Sequence, residues 1–260
     1  MMHRINFQPA YILHSRPYRE TSLLLEIFTA DYGRIGAVAK GVRRSKTKSR
    51  GLLQPFVPLL ISCAGQGELL TLKDFDAGGM VVLLEGRALV SAFYLNELLM
   101  RLLHRWDAYP ILFQSYHKAL NELKVKQEQE VLRLFEKSLL KALGYELQLI
   151  KEAETGHTVE PEKFYSFDPE RGPILAEPSK GQIGTHLLDE EYARNSGFKR
   201  DKSPNTGVEN RKHLFRGKSL LALHYESLNE TSTLWDAKRL MREALALHLG
   251  NKPLESRKLL

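Results

Sequence analysis

The sequence predicts an α+β protein in which strands come first and helices follow. Over residues 10–77, short apolar runs rich in β-branched and aromatic residues alternate with turn signals every ten or so residues. From about residue 83, apolar residues recur instead every three or four positions, which is the period of a helix. This change of period predicts a first domain over 1–80 and a second over 81–260.

Five strands are predicted in the first domain. Glycine-containing turns at 31–33 and 65–67 separate the second strand from the third and the fourth from the fifth, because glycine adopts positive φ without steric cost. Five strands in so short a stretch are typical of a small closed barrel of the OB type. The predicted strands cover 10–17, 23–29, 35–40, 57–64 and 69–75.

The second domain is predicted to be mostly helical. A first amphipathic helix carries a leucine stripe between 95 and 103, a second follows Pro110, and a third covers about 128–143 and ends at Gly144. Prolines and glycines interrupt any long element over about 155–215, where we expect an irregular and mobile insertion. Helical periodicity returns over 219–228 and 233–249.

Composition and charge narrow the function classes. Thirty-eight Lys and Arg against 31 Asp and Glu give a net charge of +7, which favours an anionic partner: nucleic acid, an anionic membrane or an acidic protein segment. The longest apolar run, 80–84, is far shorter than the roughly 18 residues of a membrane span, and we expect a cytoplasmic protein. Cys63 is the single cysteine, which excludes an intrachain disulfide and a cysteine cage for zinc.

The sequence contains only partial matches to motifs for nucleotide binding and catalysis. The Gly-Lys-Ser at 217–219 lacks the earlier glycine of a phosphate-binding loop, and the sequence GQGELL reads as a hairpin turn. Two pairs of carboxylates, Glu190 with Glu191 and Asp74 with Asp76, could in principle hold Mg²⁺ for phosphodiester cleavage. A metal-dependent nuclease is therefore kept as a minor alternative to a protein without catalytic residues.

The densest positive charge lies at residues 40–51, KGVRRSKTKSRG, between the third and fourth strands. Its serines and threonine favour an exposed loop, and its cations would release counterions on binding nucleic-acid phosphates. A solvated loop and a localisation signal are the alternatives, whereas membrane binding would need an adjoining apolar helix face. The predicted DNA-binding residues are Lys40, Arg43, Arg44, Lys46, Lys48 and Arg50.

Aromatic side chains on barrel strands can stack on exposed bases. The candidates are Tyr11, Tyr18, Phe28 and Phe56, although strand alternation means that some of them must fill the core instead. On the third helix, Arg133, Lys137 and Lys141 recur every four residues beside the apolar stripe. Such a row would suit a short acidic peptide with an aromatic end, or it is an ordinary solvated helix edge.

Several stretches resemble the bacterial recombination mediator family RecO. The resemblance begins with AYILHSRPYRETSLLLEIFTADYGRIGAVAKGVRRSKTKSRGLLQPFVPLL and continues through GELLTL, FYLNELLMRLL and LRLFEKSLLKALGYEL to the closing NKPLESRKLL. It covers the first 150 residues or so and the final forty, whereas 160–215 do not align by eye.

The resemblance implies an OB domain and a helical region in a non-enzymatic DNA repair protein. It further implies binding of single- and double-stranded DNA, annealing of complementary strands, and loading of RecA, together with RecR, onto DNA covered by the single-strand-binding protein SSB. The basic loop would be the DNA contact. Arg133 falls where a family arginine takes up the acidic, phenylalanine-ended tail of SSB.

The chain also departs from the family pattern. Many members carry a four-cysteine zinc module after the LGY helix, whereas this chain has Lys151, Glu152 and Glu154 there, so we expect no zinc and no other cofactor. The resemblance implies a nucleoid-associated protein of the cytoplasm that does not bind membranes. An RNA-binding module built on the same loop and barrel is the alternative reading.

Overall fold

The computed structural model describes residues 2–44, 51–177, 214–250 and 252–256. The chain forms two compact units, one of residues 1–146 with 244–260 and the other of residues 147–243. The change from strands to helices near residue 80 falls inside the first unit.

The N-terminal strands form a closed barrel, which confirms the predicted fold class. The strands are β1 (Met2–Tyr18), β2 (Ser22–Thr29), β3 (Gly33–Ala39), β4 (Leu59–Gln66) and β5 (Leu69–Ala77), in the order β1-β2-β3-β5-β4. The pair β3–β5 is parallel and the other four pairs are antiparallel. Alternate residues point inward, so Ile12, Leu25, Ile27, Ile35 and Ile61 pack in the barrel core.

β1 is longer than the sequence predicted because it pairs with two strands. Its first part, from Met2 to Ala10, lies along β4, and its second part, from Ala10 to Tyr18, lies along β2. The polar sequence at 2–9 concealed the first part, which also contains a register shift between Ile5 and Gln8.

Three helices follow and confirm the predicted ones: α1 (Gly86–Leu102), α2 (Pro110–Glu122) and α3 (Glu128–Ala142). α1 and α2 pack on the outer face of β1 and β2, and α3 packs against α1 and α2. The Tyr11 hydroxyl lies 2.5 Å from His117 Nδ1 on α2, and Asn96 Nδ2 on α1 donates to the Leu13 carbonyl at 2.8 Å.

The loop between α1 and α2 touches the start of β3 very closely. Gly33 has φ +63°, and a Cβ built on it would lie 1.7 Å from the Asp107 carbonyl oxygen. Only glycine fits both the conformation and the space, so this contact fixes the loop against the barrel.

The second unit holds a small sheet, β6 (Phe164–Asp168), β7 (Gly172–Ala176) and β8 (Leu214–Arg216), in the order β7-β6-β8. Helix α4 (Gly217–His224) follows, and then α5 (Thr231–Leu249), whose last residues belong to the first unit. The expectation of an irregular segment over 155–215 is wrong for β6 and β7, since strands of five residues are too short to show a clear period. Residues 178–213 lie outside the described part.

The C-terminal segment is tied to α1 by two side chains. The Glu97 carboxylate accepts hydrogen bonds from the backbone N–H groups of Glu255 and Ser256, both at 2.9 Å, and from the Ser256 hydroxyl at 2.6 Å. Arg101 donates to the carbonyls of Leu249, Lys252 and Pro253. Burial opposes ionisation of Glu97, but the Ser256 and Glu255 hydrogen bonds and Arg101 together hold its pKa below the ordinary value.

No helix in the described part of the chain is long and apolar enough to cross a lipid bilayer.

Candidate nucleic-acid interface

Two chain segments meet at one end of the barrel: the turn from β1 to β2 (residues 16–21), and the residues that follow β3 (40–44). Leu23 pairs with Ala39, so Lys40 leaves β3 beside the start of β2. The Arg43 backbone N–H then donates to the Thr21 carbonyl at 2.9 Å. Together we call these segments the basic end of the barrel.

The basic end carries five cations, Arg16, Arg19, Lys40, Arg43 and Arg44, all exposed. Arg16 and Tyr18 are two residues apart in β1 and therefore lie on the same strand face. Sequence reasoning missed Arg16 and Arg19. The sequence feature that could have identified them is RPYR at residues 16–19, which places two arginines where the first predicted strand ends. In the predicted barrel, this turn lies at the same end as the end of the third strand, where the basic run begins.

Arg43 holds the turn in place with its side chain. Its Nη1 donates to the carbonyl oxygens of Arg19 at 3.2 Å and of Glu20 at 3.1 Å. A guanidinium that is hydrogen-bonded to two carbonyls has fewer N–H groups left for a ligand. Arg43 therefore has two roles: it adds a positive charge to the basic end and it holds the turn in place.

Glu20 is the single acidic residue in the two segments. Its Oε2 lies 3.7 Å from Arg44 Nη2, and the two side chains are 91% and 78% exposed. A pair so exposed contributes about 0–1 kcal/mol, so an incoming phosphate can displace the carboxylate at little cost. Three of the predicted DNA-binding residues, Lys46, Lys48 and Arg50, lie outside the described residues.

The aromatic candidates separate into packing residues and one surface residue. Tyr11 and Phe28 are 3% and 0% exposed, because their rings pack against Phe113 and Tyr116 on α2. Phe56 is also buried, with its ring edge against Phe93. The expectation that these three rings stack on bases is corrected, since helices cover them. Burial also raises the pKa of Tyr11 to about 12.

Tyr18 is partly exposed and belongs to the basic end. The guanidinium carbon of Arg19 lies over its ring, 5.3 Å from the ring centroid. Arg19 has φ +51°, a left-handed conformation that is uncommon for a residue with a side chain. The turn thus places an aromatic ring and a planar cation together.

The predicted cationic row on α3 is not a continuous exposed surface. The Arg133 side chain is 7% exposed, and its Nη2 lies 2.8 Å from Oε1 of Glu136, which is 0% exposed. The Tyr94 hydroxyl donates to the same oxygen at 2.5 Å. Lys137 is half-buried, and the exposed Lys141 lies 2.6 Å from Glu146. The sequence did not show that Arg133 is buried, because its burial depends on a contact between α1 and α3, where Tyr94 of α1 reaches Glu136.

Of the two carboxylate pairs that the sequence offered for a metal site, the structure describes Asp74 and Asp76, which lie two residues apart on β5. Asp74 accepts from the backbone N–H of Phe75 at 3.0 Å, and Asp76 from that of Ala77 at 2.7 Å. Glu190 and Glu191 lie outside the described residues. Among the residues that are described, no group of three His, Cys, Asp or Glu side chains could hold a metal ion.

Comparison with known proteins identifies the family. A model described as "Recombination protein O N terminal" matches residues 2–77, and "Recombination protein O C terminal" matches residues 83–258. The chain is 46% identical over 258 residues to the DNA repair protein RecO of Nitrosococcus oceani, covering 99% of this chain and 93% of the relative.

Two further relatives show the same full-length similarity. The DNA repair protein RecO of Coxiella burnetii is 42% identical over 260 residues, and the match covers all of both chains. The protein of the same name from Methylococcus capsulatus is 42% identical over 257 residues, covering 98% of this chain and 93% of the relative. The matches span the barrel and the helices alike, and the chain therefore belongs to the RecO family of DNA repair proteins.

Proposed function

We propose that this protein is a non-enzymatic mediator that binds single- and double-stranded DNA through the basic end of the barrel and anneals complementary strands. The single observation that carries the proposal is the convergence of five exposed cations from two chain segments on one end of a closed barrel, with one exposed acidic residue between them. Membership of a DNA repair family agrees with this use of the charge.

The mechanism is electrostatic. Each Lys or Arg that neutralises a phosphate releases condensed counterions, so binding weakens steeply as the salt concentration rises. Contacts to phosphates carry no sequence information, which suits a protein that must act on any DNA. By neutralising two strands at once, the basic end lowers their mutual repulsion and allows base pairing without breaking a covalent bond.

Annealing in cells also requires access to DNA that SSB covers. We propose that the helical region binds the acidic, phenylalanine-ended tail of SSB, and that the protein acts with RecR to load RecA in the cytoplasm, at the nucleoid. Lys137 and Lys141 lie on α3, one and two turns after Arg133. Because Arg133 is paired with Glu136, a tail carboxylate would have to exchange with the Glu136 carboxylate to reach it.

Fluorescence anisotropy of labelled DNA tests the proposal. Purified protein is titrated into a single-stranded oligonucleotide, a duplex and an RNA of equal length, at several salt concentrations, with EDTA or with Mg²⁺. We expect salt-sensitive binding to both DNAs that is unchanged by EDTA, faster annealing of complementary strands, and oligonucleotides of unchanged length. Tighter binding to RNA would instead favour the RNA-binding reading, and shortened DNA in Mg²⁺ would favour a nuclease.

A further inference from the structure

The turn between β1 and β2 differs from the rest of the basic end in combining a ring with a cation. Tyr18 lies partly exposed at the last position of β1, and the Arg19 guanidinium covers part of its ring. Aromatic rings and guanidinium planes are the two groups on which unpaired bases stack in proteins that bind single strands. Phosphate binding alone would need the charges but not the ring.

The conformation of the turn is imposed by the neighbouring segment. A side-chain-bearing residue with φ +51° persists only where its surroundings hold it. Arg43 supplies this restraint through its two bonds to the carbonyls of Arg19 and Glu20, and through its backbone N–H bond to Thr21. The residue that fixes the turn thus comes from the basic loop.

We propose that Tyr18 and Arg19 form a contact for unpaired bases, and that Arg43 is the positioning residue that orients it. This inference rests on the proposed DNA-binding function and deepens it. The cations of the basic end hold the phosphate backbone of any DNA, whereas the Tyr18–Arg19 pair takes the face of a base. That face is available in a single strand and is covered by stacked neighbours in a duplex, so the pair favours single-stranded DNA.

The test compares affinities for a single strand and a duplex of equal length. Tyr18→Ala is expected to weaken single-strand binding by about five-fold or more, the lower end of measured base-stacking contributions. Duplex binding should change less than two-fold, and Tyr18→Phe, which keeps the ring, should bind both DNAs like the unmodified protein. Tyr18→Leu keeps apolar bulk for packing and should show the same loss as Tyr18→Ala.

Arg43→Lys separates positioning from charge. Lysine keeps the positive charge but has a single ammonium in place of the guanidinium fork that spans two carbonyls. We expect Arg43→Lys to weaken single-strand binding as Tyr18→Ala does, with an unchanged dependence on salt. Arg19→Ala should also lose affinity for the single strand and should flatten the salt dependence by about one phosphate contact.

The matched controls are an aromatic residue and a cation at the other end of the barrel. Tyr32 is exposed in the turn between β2 and β3, and β2 separates that turn from Tyr18 by about 26 Å at ~3.3 Å per residue. Arg4 is exposed near the start of β1. Tyr32→Ala and Arg4→Ala should both keep the ratio of single-strand to duplex affinity.

The outcomes distinguish this inference from the function on which it rests. Equal losses for the single strand and the duplex in Tyr18→Leu, or no loss, would overturn the base contact while leaving DNA binding in place. An Arg43→Lys variant with unaltered affinity would overturn the positioning role. An unmodified protein that binds neither DNA would overturn the proposed function itself.

Discussion

Replacing Arg133 by methionine should strongly destabilise the first unit. The substitution removes a guanidinium that lies 2.8 Å from Oε1 of the fully buried Glu136 carboxylate. Removing one member of a buried ion pair costs about 3–5 kcal/mol, because the burial of the remaining charge is then less well compensated. For a protein of this size, ~2–4 °C per kcal/mol converts this loss to a fall in melting temperature of about 6–20 °C.

The compensating variant tests the cause. Replacing Glu136 by leucine in the same protein removes the buried negative charge, and Tyr94→Phe removes the hydroxyl that donates to that carboxylate. The triple variant Arg133→Met, Glu136→Leu, Tyr94→Phe should recover most of the lost stability. Lys141→Met is the matched control, since an exposed pair contributes less than about 1 kcal/mol.

Stability is measured by urea denaturation monitored by circular dichroism. Midpoints are compared between variants whose unfolding free energy depends on urea concentration with the same slope, so that changes in stability are separated from changes in the unfolded state. An Arg133→Met protein as stable as the unmodified one would refute the reasoning. It would show that Arg133 and Glu136 are not a buried pair. A triple variant no more stable than Arg133→Met would refute the buried Glu136 carboxylate as the cause.

Three further predictions concern an exposed ion pair at the basic end, the contact of the C-terminal segment with α1, and peptide binding by α3. Glu20→Gln frees Arg44 and should tighten DNA binding by up to about five-fold at low salt, whereas Asp31→Asn at the opposite barrel end should not, as anisotropy will show. Glu97 has a lowered pKa, so its stabilisation of the C-terminal segment is complete above pH 4.5 and is lost as the pH falls through the folded value; the difference in melting temperature between the unmodified protein and Glu97→Gln should therefore shrink in acid. Calorimetric titration of an acidic, phenylalanine-ended peptide should show weaker binding to a Lys137→Ala, Lys141→Ala variant with unchanged DNA affinity, and equal peptide binding would contradict the tail site on α3.

Much of the fold could be predicted from local periodicity. Alternation in β2 and β3 and the leucine stripe of α1 reflect burial that each element achieves by itself, and these elements lie where they were expected. β6 and β7 were missed because five residues provide too few positions for a period, and Pro173 reads as an interruption.

The candidate site was predicted less completely, because contacts across the fold decide it. Alternation shows that Tyr11 and Phe28 face away from the barrel core, but not that α2 covers that outer face. The basic loop was visible as a run of charge, whereas the contribution of Arg19 depends on the hairpin that brings it to Arg43. Long-range pairing of this kind leaves no periodic signal in a single sequence.

The central claim, that DNA binds to the basic end and to the basic run that continues from it through residue 50, is tested most directly by the salt dependence of single-strand affinity in a four-alanine variant of Arg43, Arg44, Lys46 and Lys48. Single-stranded DNA contributes a slope of about 0.7 per phosphate contact, so four lost contacts should flatten the plot of log affinity against log salt by about 3. A control variant lacking four exposed cations elsewhere in the first unit, Arg4, Lys118, Lys124 and Lys126, should keep the original slope. Equal slopes for the four-alanine variant and the unmodified protein would contradict the claim.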